Sequence, residues 1–152
     1  MELSKAQRTW LQAELKANRN RPTIIFCHTP LQGTIVPSDP ENSVRSFTYP
    51  ADEMQAILAK NPQVLIWASG HTHTEPSNPS FDNAVNKLAG TNTLNVYNPA
   101  WEGSEVWTNS YYLYPDKIVI RTYSHKDHQW MTQFDRTIAV PASLQQPAKK
   151  AA

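Results

Sequence analysis

The sequence predicts an α/β fold, a mixed sheet with helices on one face and a β-hairpin at its C-terminal end. Apolar runs at 23–27 and 64–68 each follow a stretch of helical periodicity, and both are continuous rather than alternating, as strands covered by helices are. From Ser110 onward the pattern changes, and two strand-like runs flank a Pro115-Asp116 turn. The order α-β-α-β followed by β-rich sequence suggests an α/β layer with antiparallel strands at one edge.

The chain opens on a helix. Ser4 stands three residues before Gln7, the spacing of a capping box. Leu11 and Leu15 share one stripe, flanked by Ala6, Trp10, Ala13 and Ala17. Asn18 and Asn20 end the helix before Pro22, and Thr23-Ile24-Ile25-Phe26-Cys27 then reads as a buried strand that delivers His28 and Pro30. Residues 31–50 carry Pro37, Asp39-Pro40 and Pro50 with no period, and a loop of that length is usually functional. A short helix is expected over 52–60, with Met54, Ile57 and Leu58 as its apolar face and Pro62 beyond its end. Val64-Leu65-Ile66-Trp67-Ala68 is the second buried strand. A Pro-rich stretch with a helical turn near 84–88 leads to a third strand around Leu94, Val96 and Tyr97, which closes at Asn98-Pro99-Ala100-Trp101. The hairpin pairs 111–114 with 118–123, and 137–140 is expected to add an edge strand. Residues 1–140 read as one unit and 141–152 as a tail, whose PAKKAA end looks frayed.

Composition sets bounds on function. A chain of 152 residues is one domain with a real core. A formal net charge of +1 gives no reason to expect nucleic acid or an anionic membrane as partner. Twelve prolines against four glycines imply long ordered loops, and the single Cys27 excludes an intrachain disulfide. No apolar run approaches the ~20 residues of a spanning helix. The opening residues read as an amphipathic helix rather than a signal peptide, so a cytoplasmic location is expected if Met1 is the natural start.

The chemistry lies in Gly70-His71-Thr72-His73, which follows the second apolar run directly. Two imidazoles at alternate positions just past a strand can face one point, and His28 ends the first strand in the same way. Ligands in α/β sheets sit beyond the strand ends, where all three histidines are expected. Neutral imidazole suits zinc, iron, manganese and similar ions. Gly70 would let the backbone turn sharply there. A bare His-x-His is also compatible with a polar loop. Strand-Gly-His-x-His together with a strand ending in His-x-Pro is more specific.

These segments resemble the C-terminal half of a calcineurin-like metallophosphoesterase, over roughly 3–140. Gln7 to Leu15 is similar to that family's helix before the central strand, Ile24-Ile25-Phe26-Cys27-His28-Thr29-Pro30 to its strand-His-x-Pro segment, and Leu65 to His73 to its final Gly-His-x-His motif. Asn98-Pro99-Ala100 and the hairpin resemble its closing strands. The resemblance implies half of a layered αββα sandwich. It implies that His28 and His71 bind one divalent metal ion and His73 a second, with manganese, iron or zinc as the pair. It implies hydrolysis of phosphate mono- or diesters by in-line attack of a hydroxide held between the two ions.

The resemblance departs at the acidic half of the site. The family's Asp-x-His, Gly-Asp and Gly-Asn-His segments precede the helix at which this chain opens, and none occurs here. Glu75 lies just past the motif, but one carboxylate cannot replace the set. Two divalent ions near ~4 Å apart need anionic ligands to offset their repulsion. The isolated chain is therefore expected not to be a competent two-metal enzyme. The missing N-terminal half is the expected partner, in cis or in trans. A homodimer is the alternative, because half a sandwich leaves an apolar sheet face that favours association. A non-catalytic interaction module is the alternative function.

Other residues carry weaker signals. Arg45 in the long loop is a candidate contact to a phosphate oxygen, and Trp101 a candidate wall of a substrate cleft; packing explains Tyr111 and Tyr112 as well as a cleft does. His125 and His128 read as a solvated loop, with a second metal site as the alternative, and Cys27 reads as a core thiol.

Overall fold

The fold is described from a computed structural model, whose described residues are 1–99, 101 and 105–145. Ala100 of the Asn98-Pro99-Ala100 segment and the PAKKAA tail lie outside them.

Helix α1 spans Lys5–Ala17. Its capping box forms as the spacing predicts: the Gln7 amide donates to Ser4 Oγ at 3.2 Å, and the Ser4 amide donates to Gln7 Oε1 at 2.8 Å. Leu11 and Leu15 are its buried positions. Helix α2 spans Ala51–Ala59 and buries Met54, Ile57 and Leu58. Asp52 and Glu53 in its first turn suit the positive end of the helix dipole. Arg8 of α1 and Glu53 of α2 pair at 2.8 Å, joining the helices at the surface of one layer.

Strands β1 (Thr23–Phe26), β2 (Val64–Ser69) and β3 (Leu94–Tyr97) form a parallel sheet in the order β1-β2-β3. All six residues of the central β2 are buried. Val64 and Trp67 pack into the helix-side core with Leu11, Leu15, Met54 and Leu58. Leu65, Ile66 and Ala68 pack on the opposite side. Strict alternation would not put both Leu65 and Ile66 there. The register slips between Thr23 and Ile24, where β2 carries one extra residue, and the strand changes phase at that point.

The first strand departs from the buried strand expected of its sequence. Among the described residues β1 pairs with β2 alone, and Phe26 is 69% exposed. An apolar run shows that a strand is suited to burial; it does not show how many neighbours cover it.

The strands divide between two ladders. β4 (Trp107–Leu113), β5 (Lys117–Ser124), β6 (Gln129–Trp130) and β7 (Arg136–Ala139) form an antiparallel sheet in which β5 pairs with the other three. β5 alternates buried and half-exposed residues along most of its length, as a sheet with one wet face does. Its inward Ile118 and Ile120 meet Ile66, Ala68 and Val96 of the parallel sheet. A short turn, Ala142–Leu144, follows β7, and Leu144 packs in this same core with Val140. The layers are helix, sheet, sheet, which is the expected α/β class with the antiparallel strands stacked against the parallel ones. Among the described residues no helix is long and apolar enough to cross a membrane.

The two long loops are fastened to each other. Ser80 donates to Asp39 at 2.7 Å and accepts from the Val36 amide at 3.1 Å. Asn86 donates to the carbonyls of Thr34 and Ser80, and Tyr97 Oη donates to Thr34 O at 3.0 Å. Beneath them Ile35, Phe47, Phe81 and Tyr97 form a third core. Burial works to raise the Asp39 pKa, but hydrogen bonds from the Glu41 amide, Ser80 and Asn78 outweigh it and hold the carboxyl below its ordinary value. A carboxylate with a lowered folded pKa adds stability above its unfolded pKa, and that stability is lost as pH falls through the folded value. Asp39→Asn should therefore lower stability by about 1 kcal/mol near neutrality. The deficit should shrink in acid, as pH falls through the lowered folded value and the wild-type carboxylate also protonates. Urea unfolding of both proteins near neutrality and in acid checks this.

Candidate metal centre

The three histidines lie at the strand ends, as their positions predict. His28 follows β1, and its carbonyl accepts from the Gly70 amide at 3.0 Å, so the ends of β1 and β2 are tied where the histidines begin. His71 Nδ1 and His28 Nε2 lie 3.1 Å apart, with ring centroids at 4.9 Å and planes at 68°. His73 lies near enough to act electrostatically on His71.

The turn is held by its alternate residues. Thr72 and Thr74 are buried and joined through their hydroxyls at 2.8 Å, whereas His71 and His73 are exposed. Small hydroxyl side chains point inward and satisfy each other, which leaves the imidazoles directed outward.

The sharp backbone falls on the histidines and not on Gly70. His71 has φ 67° and His73 has φ 48°, both in the left-handed region. Gly70 lies outside that region, and a Cβ there would meet only Asn98 O at 3.8 Å and His28 O at 3.9 Å. The expected hinge role of Gly70 is thus corrected. Left-handed backbone at a non-glycine residue costs on the order of 1 kcal/mol and persists where the surroundings over-determine it.

Partial burial and the nearby His28 lower the pKa of His71 below the ordinary imidazole value. Glu41 in the long loop works in the opposite direction. The net effect keeps His71 neutral, which leaves a lone pair free for a ligand. Two imidazole nitrogens on one tetrahedral zinc ion at ~2.05 Å stand roughly 3.3 Å apart. The 3.1 Å separation fits two ligands of one ion.

Among the described residues the three histidines do not by themselves make such a centre. Among the described residues no group of three or more His, Cys, Asp or Glu stands close enough to hold a metal ion. Glu75 is exposed, and the bond that places it is backbone, from the Asn78 amide to Glu75 O at 2.8 Å.

Arg45 is exposed in a single turn, Val44–Ser46, of the long loop, and Trp101 is 77% exposed. His125 bonds Thr108 at 3.0 Å and packs edge-on against Tyr123, which supports the surface reading. Cys27 packs against the helix-side core, with Sγ 3.9 Å from Thr48 Oγ1. Sequence reasoning missed Asn98 and Asn109, which grip the strand end beside Gly70. Amides at isolated positions have no characteristic spacing, and the pairing of β3 with β4 side chains was not readable.

Two substitutions test the backbone assignment. Gly70→Ala should change stability by less than about 0.5 kcal/mol. His71→Asn should raise it by several tenths of a kcal/mol, because Asn tolerates left-handed backbone better than His in a position built for function. Urea midpoints of the two variants check both.

No protein-family model matches the sequence, and no curated protein matches it either. Among solved structures the fold is similar to a crystal structure of a dimetal phosphatase from Danio rerio, with a TM-score of 0.61 at 18% identity. The likeness covers 90% of this chain but 38% of that one. The fold is thus similar to part of that protein's, and the chain spans well under half its length.

Proposed function

We propose that this chain is the histidine-bearing part of a metal-dependent phosphoesterase that hydrolyses phosphate mono- or diesters. The observation that carries the reading is the His28–His71 pair at 3.1 Å, placed at the ends of two adjacent parallel strands in a fold similar to a dimetal phosphatase. In this reading His28 and His71 hold one divalent ion and His73 the other. Bound divalent ions would supply Lewis acidity toward a phosphoryl oxygen and would activate water. The chain's own residues then hold neutral imidazoles at fixed separation, and Arg45 and Trp101 stand as candidate contacts to the substrate. Manganese, iron and zinc all suit these ligands.

The carboxylates come from further polypeptide, which we place along the open side of the two sheets. Among the described residues β1 pairs only with β2, and β4 only with β5. The Thr23 and Cys27 amides bond toward β2, so by alternation the Ile24 and Phe26 peptide groups face outward. Phe26 meets Tyr111 of β4 edge-on at 5.8 Å, which brings the two open edges together. A groove of about 470 Å³ runs beside β1, lined by Trp10, Leu11, Leu15, Ile24 and Phe26. Unpaired strand edges with apolar flanks accept added strands. The occupant is the polypeptide corresponding to the part of the dimetal phosphatase that this chain does not span.

Two outcomes are expected. The purified chain with added manganese should give no turnover of an aryl phosphate ester. Metal-dependent turnover abolished by His71→Ala would overturn the claim that the isolated chain is incompetent. Without its partner the open side should also drive self-association, which Phe26→Lys should suppress. Light scattering across a concentration series checks this, and a clean wild-type monomer throughout would count against the docking surface.

A further inference from the structure

We propose that Asn109 is a positioning residue for the histidine pair, acting through Asn98 on the turn that carries His71. Its purpose rests on the metal-centre reading, but its geometry does not.

Ser69 and Tyr97 are the last paired residues of β2 and β3. Beyond them the chain leaves the ladder, so the Ser69 carbonyl is the last sheet-anchored acceptor before Gly70 and His71. Asn98 grips that carbonyl twice, through its own amide at 2.6 Å and through its side-chain Nδ2 at 3.0 Å. Asn98 is itself held: its Oδ1 accepts from Asn109 Nδ2 at 3.1 Å.

Asn109 uses its whole amide. Nδ2 also donates to the Tyr97 carbonyl at 2.8 Å. Oδ1 accepts from Thr122 Oγ1 at 2.8 Å and from Arg136 Nη2 at 3.4 Å. An amide offers two donor hydrogens and two acceptor lone pairs, and each has a partner here. A guanidinium can only donate and a main-chain carbonyl can only accept, so the partners leave one orientation for this side chain. Arg136 is fixed in turn against the Phe81 ring at 5.1 Å. One hydrogen-bonded line thus joins β7, β5, β4, β3 and β2, and it ends one residue before Gly70.

The turn needs such a line. His71 and His73 both hold left-handed backbone, which lasts only where the surroundings leave no alternative. With the side-chain half of the Ser69 grip gone and only the Asn98 backbone bond left, the turn can relax toward right-handed backbone and carry the His71 ring away from His28.

The test uses the metal-free chain and NMR of the histidine rings. Wild type should show a cross-relaxation peak between the His28 and His71 rings. Asn98→Ala should lose it. Asn109→Asp should lose it too, because a carboxylate of the same shape keeps Thr122 and Arg136 as donors but cannot donate to Asn98 or Tyr97. Since that variant retains its partners in the antiparallel sheet, it should remain folded by circular dichroism. Ile120→Val, a conservative trim of the adjoining core, should keep the peak. Adding Asn109→Asp to Asn98→Ala should change the ring signals no further, since both act on one path. A peak retained in Asn109→Asp, or absent from wild type, overturns the proposal. Titration with manganese is read separately: a wild type that shows the peak but binds no metal would sink the phosphoesterase reading and leave this one standing.

Discussion

Every residue of β2 is buried, so two layers have to meet this strand from opposite sides. Trp67 and Val64 require the helices, and Ile66 and Ala68 require the antiparallel sheet. Neither layer alone would cover the strand. At ~25 cal/mol per Å² of apolar surface, leaving either face of β2 wet would cost more than a small domain can spare. The same strand ends in the turn that carries His71 and His73, so the residues with chemistry stand on the most constrained segment of the fold. A site placed on a rigid element keeps its geometry better than one placed on a mobile loop.

Around that strand the polar groups do a different task from the apolar ones. The cores decide which layers touch, and the amides and hydroxyls decide how the strand ends are aimed. Trp67 Nε1 donates to Thr29 O at 2.9 Å, just past His28, while Thr72 and Thr74 anchor the other histidine segment from within. A buried polar group without a partner costs about 1–3 kcal/mol, which is why each of these contacts specifies an arrangement rather than merely tolerating one. The left-handed histidines show the expense accepted for that arrangement.

Much of the fold was legible in the sequence where local rules apply. The Ser4–Gln7 cap, the Leu11–Leu15 stripe, the run at β2 and the Pro115-Asp116 hairpin all depend on neighbours within a few residues. What was not legible depends on partners far away in the chain. The exposure of Phe26 follows from β1 being an edge, and the division into two sheets follows from where β4 pairs. The histidines were legible as ligand types at strand ends, whereas their left-handed backbone was not, because the glycine beside them drew the expectation to itself. Asn98 and Asn109 were silent for the same reason that single amides usually are: their importance lies in what they touch.

The hairpin of β4 and β5 also bears on the order in which this chain can assemble. Its pairings join residues close in sequence, and hairpins form in roughly microseconds. β1 and β2 are separated by the whole of the first long loop and by α2, and such non-local pairings form later. Asn109 belongs to the early element and Asn98 to the late one. The histidine turn is therefore completed only when the two modules dock. A partly folded chain would hold every histidine and still lack the Asn109–Asn98 contact that joins the two sheets beside them.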